Sequence, residues 1–313
     1  MTPFIISYYS IVLDGWCLPG IIKKSTAWVI GLLILLAICP GFVSAQHAYY
    51  TAVIEAKIAR GANDNDLAIA HYTRAFKEEQ VLVRDLVSAA NLAYAPIHAL
   101  SMQWAKRAVD AGLDSVGIVT KFKRFAQADQ AVLLACARAQ QVKNPDRRAL
   151  YQRLEAMDRE YREDFDFSQP REVQDSINQL MQTQDSTVYQ MLWQDIAANG
   201  WPGEVYVAST QLYLMLTHNI IKLDRDNRLD DVLQAVMEVK FPPYWYGSLV
   251  DRLFYINEQK QWYGTMISPD QNDDFKMKVL PVKDPEEVDS RRRSIGLEPL
   301  AVYASKMNAQ CAY

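Results

Sequence analysis

Two stretches decide the first half of the fold: Leu67-Ala-Ile-Ala-His-Tyr-Thr-Arg-Ala75 and Ser101-Met-Gln-Trp-Ala-Lys-Arg-Ala108. Small residues recur in them at a fixed distance, because Ala68 and Ala75 are followed 33 residues later by Ser101 and Ala108. Small side chains let two helices approach closely. The spacing therefore predicts paired amphipathic helices over residues 46–140.

The length of this period is itself informative. A period near 34 residues is typical of tetratricopeptide repeats, in which each repeat is a pair of helices, and the region resembles two such repeats. This resemblance implies a tetratricopeptide-like helical region over residues 46–145, with Gly112 close to the end of a second helix. A stack of two or three repeats leaves an apolar face open, and we expect the C-terminal half to cover that face.

The second half, residues 146–313, is predicted to be a helical domain with a small β-hairpin. Proline, glycine and asparagine mark its breaks. Helices are predicted at about 147–162, 171–183, 185–198, 204–219, 228–240, 244–258 and 284–296. Alternating β-favouring runs at 262–267 and 275–282 flank a polar turn and predict the hairpin. The predicted fold class is mainly α, with tetratricopeptide-like helical hairpins followed by this domain.

A hydrophobic leader precedes the body. Lys23 and Lys24 stand before the apolar stretch 27–39, and the small residues 43–45 follow a Pro-Gly break. This order is typical of a cleavable signal, so residues 1–45 are predicted to direct export to the periplasm or cell envelope. The alternative is an uncleaved anchor formed by residues 27–45, which is close to the roughly 20 apolar residues that span a bilayer. Membrane contact is expected only through this leader.

Charge and motifs narrow the function classes. The chain has 33 basic and 37 acidic residues, a net charge of −4, and no basic stripe, which argues against a nucleic-acid partner. It contains no phosphate-binding loop, dinucleotide fingerprint, nucleophile elbow or HExxH motif, so no cofactor or metal is predicted. The body has two cysteines, Cys136 and Cys311, which allow either one disulfide or two free thiols.

Six different short motifs lie along the second half of the chain. They are Asp158-Arg-Glu-Tyr-Arg162, Asn199-Gly-Trp-Pro202, Thr217-His218, Asp251-Arg252, Gln261-Trp-Tyr-Gly-Thr265 and Val288-Asp-Ser-Arg-Arg292. In order and spacing they resemble a bacterial family known only as a domain of unknown function (number 6624 of that series), over about residues 150–305. The resemblance implies an exported protein without an established activity. Thr217 and Met266 stand where the family usually has glutamine, so any role of those glutamine side chains in the family does not carry over to this chain.

The motifs supply a candidate polar site: His218, Asp251, Arg252, Gln261, Tyr263, Thr265, Arg291 and Arg292. His218 is either a satisfied core or rim residue or a general base, because imidazole titrates near neutral pH. Asp251 and Arg252 form either a solvated helix face or a bridge to a neighbouring segment; alternatively, Arg252 clamps a carboxylate or phosphate while Asp251 orients a partner. Arg291 and Arg292 are expected on the surface near a helix end, or else at an anion site.

These residues leave three interpretations of function. The first is a non-catalytic binding or interaction module for an unknown protein or small molecule, favoured by the repeats and by the missing catalytic motifs. The alternative is an unrecognised hydrolase or small-ligand enzyme, whose polar residues converge in one cleft. In the third, the same residues form an internal network that pins helices to the hairpin.

Overall fold

The computed structural model describes residues 43–139, 144–163, 165–270 and 273–311, and they form a mainly helical protein with a small sheet, as predicted. The helices are α1 (Val43–Gly61), α2 (Asn65–Ala75), α3 (Val83–Ala93), α4 (His98–Asp110), α5 (Ser115–Lys121), α6 (Gln127–Ala139), α7 (Pro145–Arg159), α8 (Arg171–Asn199), α9 (Ser209–His218), α10 (Ile220–Arg225), α11 (Leu229–Met237), α12 (Pro243–Glu258), α13 (Val288–Ser294) and α14 (Leu300–Lys306). A short 3-10 helix, Pro285–Glu287, precedes α13.

Successive helices of the first half pack as pairs: α1 with α2, α3 with α4, and α5 with α6. The small residues that recur in the sequence lie at these interfaces, where Ala68, Ala75, Ser101 and Ala108 are almost fully buried. The buried Ser101 hydroxyl donates to the carbonyl of Ala90 at 2.7 Å, so the serine is accommodated without an unpaired group. The assignment of these pairs to tetratricopeptide repeats stays a prediction.

One long helix, α8, replaces the two helices that the sequence predicted at 171–183 and 185–198. That prediction was wrong because the stretch holds neither glycine nor proline. Its hydroxyl side chains donate to carbonyls one turn earlier, as Ser176 does to Glu172 and Ser186 to Gln182, and so remain compatible with the helix. Gly200, with a φ of 72°, ends it.

A buried ion pair holds α7 to the end of α8. Nε and Nη2 of Arg147 donate to Oδ2 of Asp195 at 2.9 and 2.8 Å, and the Tyr151 hydroxyl donates to the same oxygen at 2.7 Å. The side-chain amide of Asn199 donates to Oδ1 of Asp195 at 2.8 Å. Arg147 and Asp195 are both less than a tenth exposed, so each has lost most of its hydration. The attraction between the two charges compensates for part of that loss.

The sheet has the strand order β1 (Ile267–Asp270), β2 (Asp273–Val279), β3 (Ala309–Cys311). The antiparallel hairpin β1–β2 was predicted, but the first strand was placed too early, at 262–267. Backbone N–H groups of residues 262, 263 and 265 bond to a side chain of α12 instead of a partner strand. β3 pairs parallel to β2, and neither β3 nor α14 was predicted.

The apolar core of the described residues is continuous from Tyr49 to Leu297, so the first helix packs on the C-terminal half. The Tyr50 hydroxyl donates to the carbonyl of Val236 at 2.6 Å. Gly296, with a φ of 88°, lies against the ring of Tyr50, where a Cβ would come within 2.5 Å of a ring carbon. These contacts cover part of the surface of α1. The predicted domain boundary near residue 145 stays a prediction.

The apolar part of the predicted leader lies outside the described residues, and Val43, Ser44 and Ala45 at its exit begin α1. None of the described helices is both long and apolar enough to cross a membrane. Cys136 and Cys311 are free and partly buried, so the thiol alternative holds in this structure.

Glu298 joins α1 to the C-terminal elements and is only 8% exposed. Its carboxylate oxygens lie 3.8 Å from Nζ of Lys57 and 3.2 Å from Nζ of Lys306. Burial by itself raises the pKa of the Glu298 carboxyl, but the two ammonium groups outweigh burial and lower this pKa to about 2. The ionised form therefore stabilises the contact between the two ends of the fold.

Glu298→Gln is expected to lower the free energy of unfolding by about 2–3 kcal/mol at neutral pH, because the glutamine cannot pair with the lysines. The folded pKa lies below the ordinary value of 4.5, so this contribution is complete above pH 4.5 and is lost as the pH falls toward 2. Urea unfolding of both proteins at several pH values measures it. A difference between the two proteins that stayed constant down to about pH 3 would contradict the assignment.

Candidate functional site

Asp251, on α12, holds the loop that follows this helix. Its Oδ1 accepts from the N–H groups of Trp262 and Tyr263 at 2.7 and 2.5 Å, and its Oδ2 accepts from the N–H and hydroxyl of Thr265 at 2.6 and 2.7 Å. Burial raises the pKa of this fully buried carboxyl, and the four donors act against that shift. Of the two placements expected for Asp251, the structure has the bridge to a neighbouring segment and not the solvated helix face, because the loop donors replace water.

Gln261, Arg291 and Arg292 complete the same network. The side-chain amide of Gln261 donates to the carbonyls of Met266 and Leu280 and accepts from the N–H of Met266. Arg291 Nε donates to the carbonyl of Trp262 at 3.0 Å, and Arg292 Nη1 donates to that of Tyr263 at 2.7 Å. The two arginines of α13 thus bind the same loop that Asp251 holds from α12, and Gln261 closes bonds within it.

The surface placement predicted for Arg291 and Arg292 was wrong, since they are 9% and 0% exposed. Their guanidinium groups meet loop carbonyls, which replace the hydration that the surface would supply. Burial lowers the pKa of Arg292, and Glu298 acts in the opposite direction. Arg252, next to Asp251 on α12, is partly exposed. The geometry of this group supports the third interpretation, an internal network that pins α12 and α13 to the loop before the hairpin.

His218 belongs to a second group, formed by α7, α8 and α9. Its Nδ1 lies 2.8 Å from Oδ1 of Asp158, and its side chain is 20% exposed. Arg162 Nη2 donates to both oxygens of Asp185 at 2.7 and 2.8 Å. Burial raises the pKa of the Asp185 carboxyl, while Arg162 opposes the shift. The structure therefore separates His218 from the predicted residues that form the Asp251 network.

Asp158, Asp185 and His218 offer one carboxylate or imidazole atom each, and these atoms lie within 4.8 Å of one another. Such a set can ligate a divalent cation. The guanidinium of Arg162, however, already contacts both oxygens of Asp185, so a cation would have to displace it. As a proton-transfer pair, Asp158 fixes Nδ1 of His218 and leaves Nε2 as the atom that can exchange a proton.

A cleft of about 240 Å³ lies between the end of α8 and α11. Its lining comprises Trp193, Ile196, Ala197, Trp201, Arg228, Asp231, Gln234, Ala235 and Glu238. Trp193 is 6% exposed and Trp201 is partly exposed, and their rings meet edge to face at 6.4 Å. Within the described ranges, no hydrogen-bond acceptor reaches the buried Nε1 of either indole. Among the described residues, Nη1 of Arg291 and Nη2 of Arg292 in the network above are likewise buried without an acceptor, so such donors are not confined to the cleft.

The rim of the cleft is polar and its charges are paired. Arg228 lies over the ring of Trp193 at 4.8 Å and bonds through Nη1 to Asp231 at 3.0 Å. Gln234 donates to one oxygen of Glu238 at 2.8 Å and Lys240 to the other at 2.6 Å. Burial by itself raises the pKa of the Glu238 carboxyl, but these two donors outweigh burial and lower this pKa. The rim thus combines planar polar groups with little net charge.

In the sequence, Trp201 was noted only as part of the motif Asn199-Gly-Trp-Pro202, and the other lining residues were not identified. Asp231, Gln234 and Glu238 recur at the spacing of one helix face, which by itself is typical of a solvated surface. The missing signal was the position of Trp193, which lies 38 residues before Asp231 in sequence and meets α11 only in the folded chain.

Comparison with known proteins gives no relative: no family model matches the sequence, and no curated protein or solved structure matches the chain. The two resemblances noted in the sequence therefore stay predictions.

Proposed function

We propose that this protein is a non-catalytic binding protein of the cell envelope, and that it binds a small ligand in the cleft between α8 and α11. One observation carries the proposal: a cleft of about 240 Å³ is lined by two indole rings and rimmed by carboxylate, amide and guanidinium side chains. Ligand sites are concave, largely apolar and aromatic, with a few polar groups that fix orientation, and this cleft has that composition.

The internal network favours binding over catalysis. Asp251, Gln261 and Arg292 bond to backbone groups of the loop, and the Thr265 hydroxyl donates to Asp251, so these contacts serve the fold. Within the proposal, residues 1–45 direct export, the tetratricopeptide-like pairs act as the scaffold, and the second half belongs to the resembled family.

A second candidate function, acid–base catalysis, has one specific support, the bond between Nδ1 of His218 and the buried Asp158 at 2.8 Å. A carboxylate in that position selects the tautomer in which Nε2 accepts a proton. The two candidates lie at different sites, so substitutions separate them.

The cleft is expected to bind at least one ring-sized probe among glucose, indole, proline and tetramethylammonium. Saturation-transfer NMR at about 10 mM probe, with tryptophan emission as a second signal, measures this binding. The rim variant Asp231→Ala/Gln234→Ala should weaken it at least about tenfold, since both side chains are exposed and their loss leaves the fold intact.

His218→Gln is the control for this experiment and is expected to bind the same probe with unchanged affinity. If the rim variant still bound the probe and His218→Gln did not, the site would lie at His218 and the cleft proposal would be wrong. Absence of binding by the wild-type protein for every probe would also contradict it.

A further inference from the structure

We infer that the ligand of the cleft is a saccharide, of which one neutral hexopyranose ring lies against Trp201 and Trp193. The inference rests on the proposed function of the cleft and adds the chemical class of the ligand. It follows from the partly exposed ring of Trp201, the planar polar rim, the pairing of charges and the size of the site.

The floor suits the C–H face of a sugar ring. A pyranose ring presents several C–H groups on one face, and aromatic side chains bind flat apolar surfaces of this kind. Trp201 is partly exposed, whereas Trp193 is nearly buried beneath Arg228, so Trp201 offers the larger surface. Ile196 and Ala235 extend the apolar floor beside the two indoles.

The rim suits the hydroxyl groups at the edge of such a ring. Carboxylate, amide and guanidinium groups each have two neighbouring polar atoms that can bond to adjacent hydroxyls. Asp231, Gln234 and Glu238 present such groups along one side of the cleft, and Arg228 adds a donor. The side chains of Arg228 and Asp231 are 42% and 49% exposed, so both are accessible to a ligand.

The charges and the volume of the cleft favour a small neutral ligand. Arg228 is paired with Asp231, and Lys240 with Glu238, so the rim offers no unbalanced charge to a phosphate or an ammonium group. A volume of about 240 Å³ is below the roughly 300–1,000 Å³ that is typical of sites for drug-sized ligands. A single neutral ring therefore fits the site better than an extended or charged molecule.

Titration of the full chain with glucose and N-acetylglucosamine tests the inference, with sorbitol and glucose 6-phosphate as comparisons. Sorbitol carries the hydroxyls of glucose without a ring face, and the phosphate adds charge. We expect at least one of the two neutral rings to bind and to change tryptophan emission. Sorbitol and the phosphorylated sugar should bind at least about tenfold more weakly. Saturation transfer should be strongest on the C–H protons of one ring face.

Three variants locate the binding. Trp201→Ala should lower affinity for the sugar at least about tenfold, and Gln234→Ala should lower it severalfold, without a change in the circular dichroism spectrum. Gln182→Ala, which removes an exposed glutamine from α8 outside the cleft lining, should bind as the wild-type protein does. Because Gln234 is exposed, its variant remains informative if Trp201→Ala fails to fold.

The outcomes separate the saccharide from the cleft itself. If indole, proline or tetramethylammonium binds with dependence on Gln234 and the sugars do not, the cleft proposal stands and the saccharide inference is overturned. Equal binding of sorbitol and glucose also overturns it, since the ring face then contributes nothing. If no probe binds at the cleft, both the proposed function and this inference fail.

Discussion

Replacing Asp251 with alanine is expected to destabilise the protein by about 4 kcal/mol or more, a large part of the roughly 5–15 kcal/mol that keeps a domain folded. The variant leaves three backbone N–H groups and the Thr265 hydroxyl in a buried loop without their acceptor. Each buried donor left in this way costs about 1–3 kcal/mol. The midpoint of thermal unfolding, followed by circular dichroism, should fall by about 10 °C.

Asp231→Ala is the matched control for Asp251→Ala, because it removes an exposed carboxylate from a neighbouring helix and should change stability by no more than about 0.5 kcal/mol. Asp251→Asn should lie between the two, since it keeps one acceptor oxygen and turns a donor toward the loop. If Asp251→Ala melted within a few degrees of the wild-type protein, the loop would not depend on this carboxylate.

Asp195→Ala is expected to destabilise the protein by about 3–5 kcal/mol, because it leaves the guanidinium of Arg147 buried without its carboxylate. Arg147 Nε and Nη2 both donate to Asp195, and Tyr151 loses its acceptor at the same time. Urea unfolding measures the loss. The cost arises from the charge left behind as well as from the lost bonds.

A double variant tests that explanation of the ion pair. Arg147→Met/Asp195→Leu removes both charges and places apolar side chains between α7 and α8, so it should be more stable than Asp195→Ala alone. Arg147→Met and Asp195→Leu are also measured singly. If the double variant lost at least the sum of these two single losses in unfolding free energy, the residues would stabilise the protein independently of their pairing.

Local periodicity predicted the first half of the fold well. Ala68 and Ala75, and their counterparts Ser101 and Ala108, mark helix interfaces because a small side chain is required wherever two helices meet closely. The end of α8 was also readable, since Gly200 adopts a backbone conformation that glycine favours. These features depend on short-range patterns, which a single sequence contains.

The parts that sequence reasoning misplaced depend on partners distant in the chain. Nothing around Asp251 indicates that a loop more than ten residues later turns its N–H groups toward it, and the first strand was misplaced for the same reason. Arg291 and Arg292 resemble the cations of an exposed helix end until the loop carbonyls around them are known. The cleft needs Trp193 and Asp231 to meet, which no local pattern encodes.

The contact between α1 and the last elements has a consequence for synthesis. Tyr50 and Lys57, near the start of the described chain, take their partners from Val236, Gly296 and Glu298. The ribosome synthesises the first of these partners 186 residues after Tyr50, and the others later still. The first helix therefore stays without them until late in translation. Native contacts that are so far apart in sequence slow folding. Delayed closure of this kind would be compatible with the export that is proposed for residues 1–45.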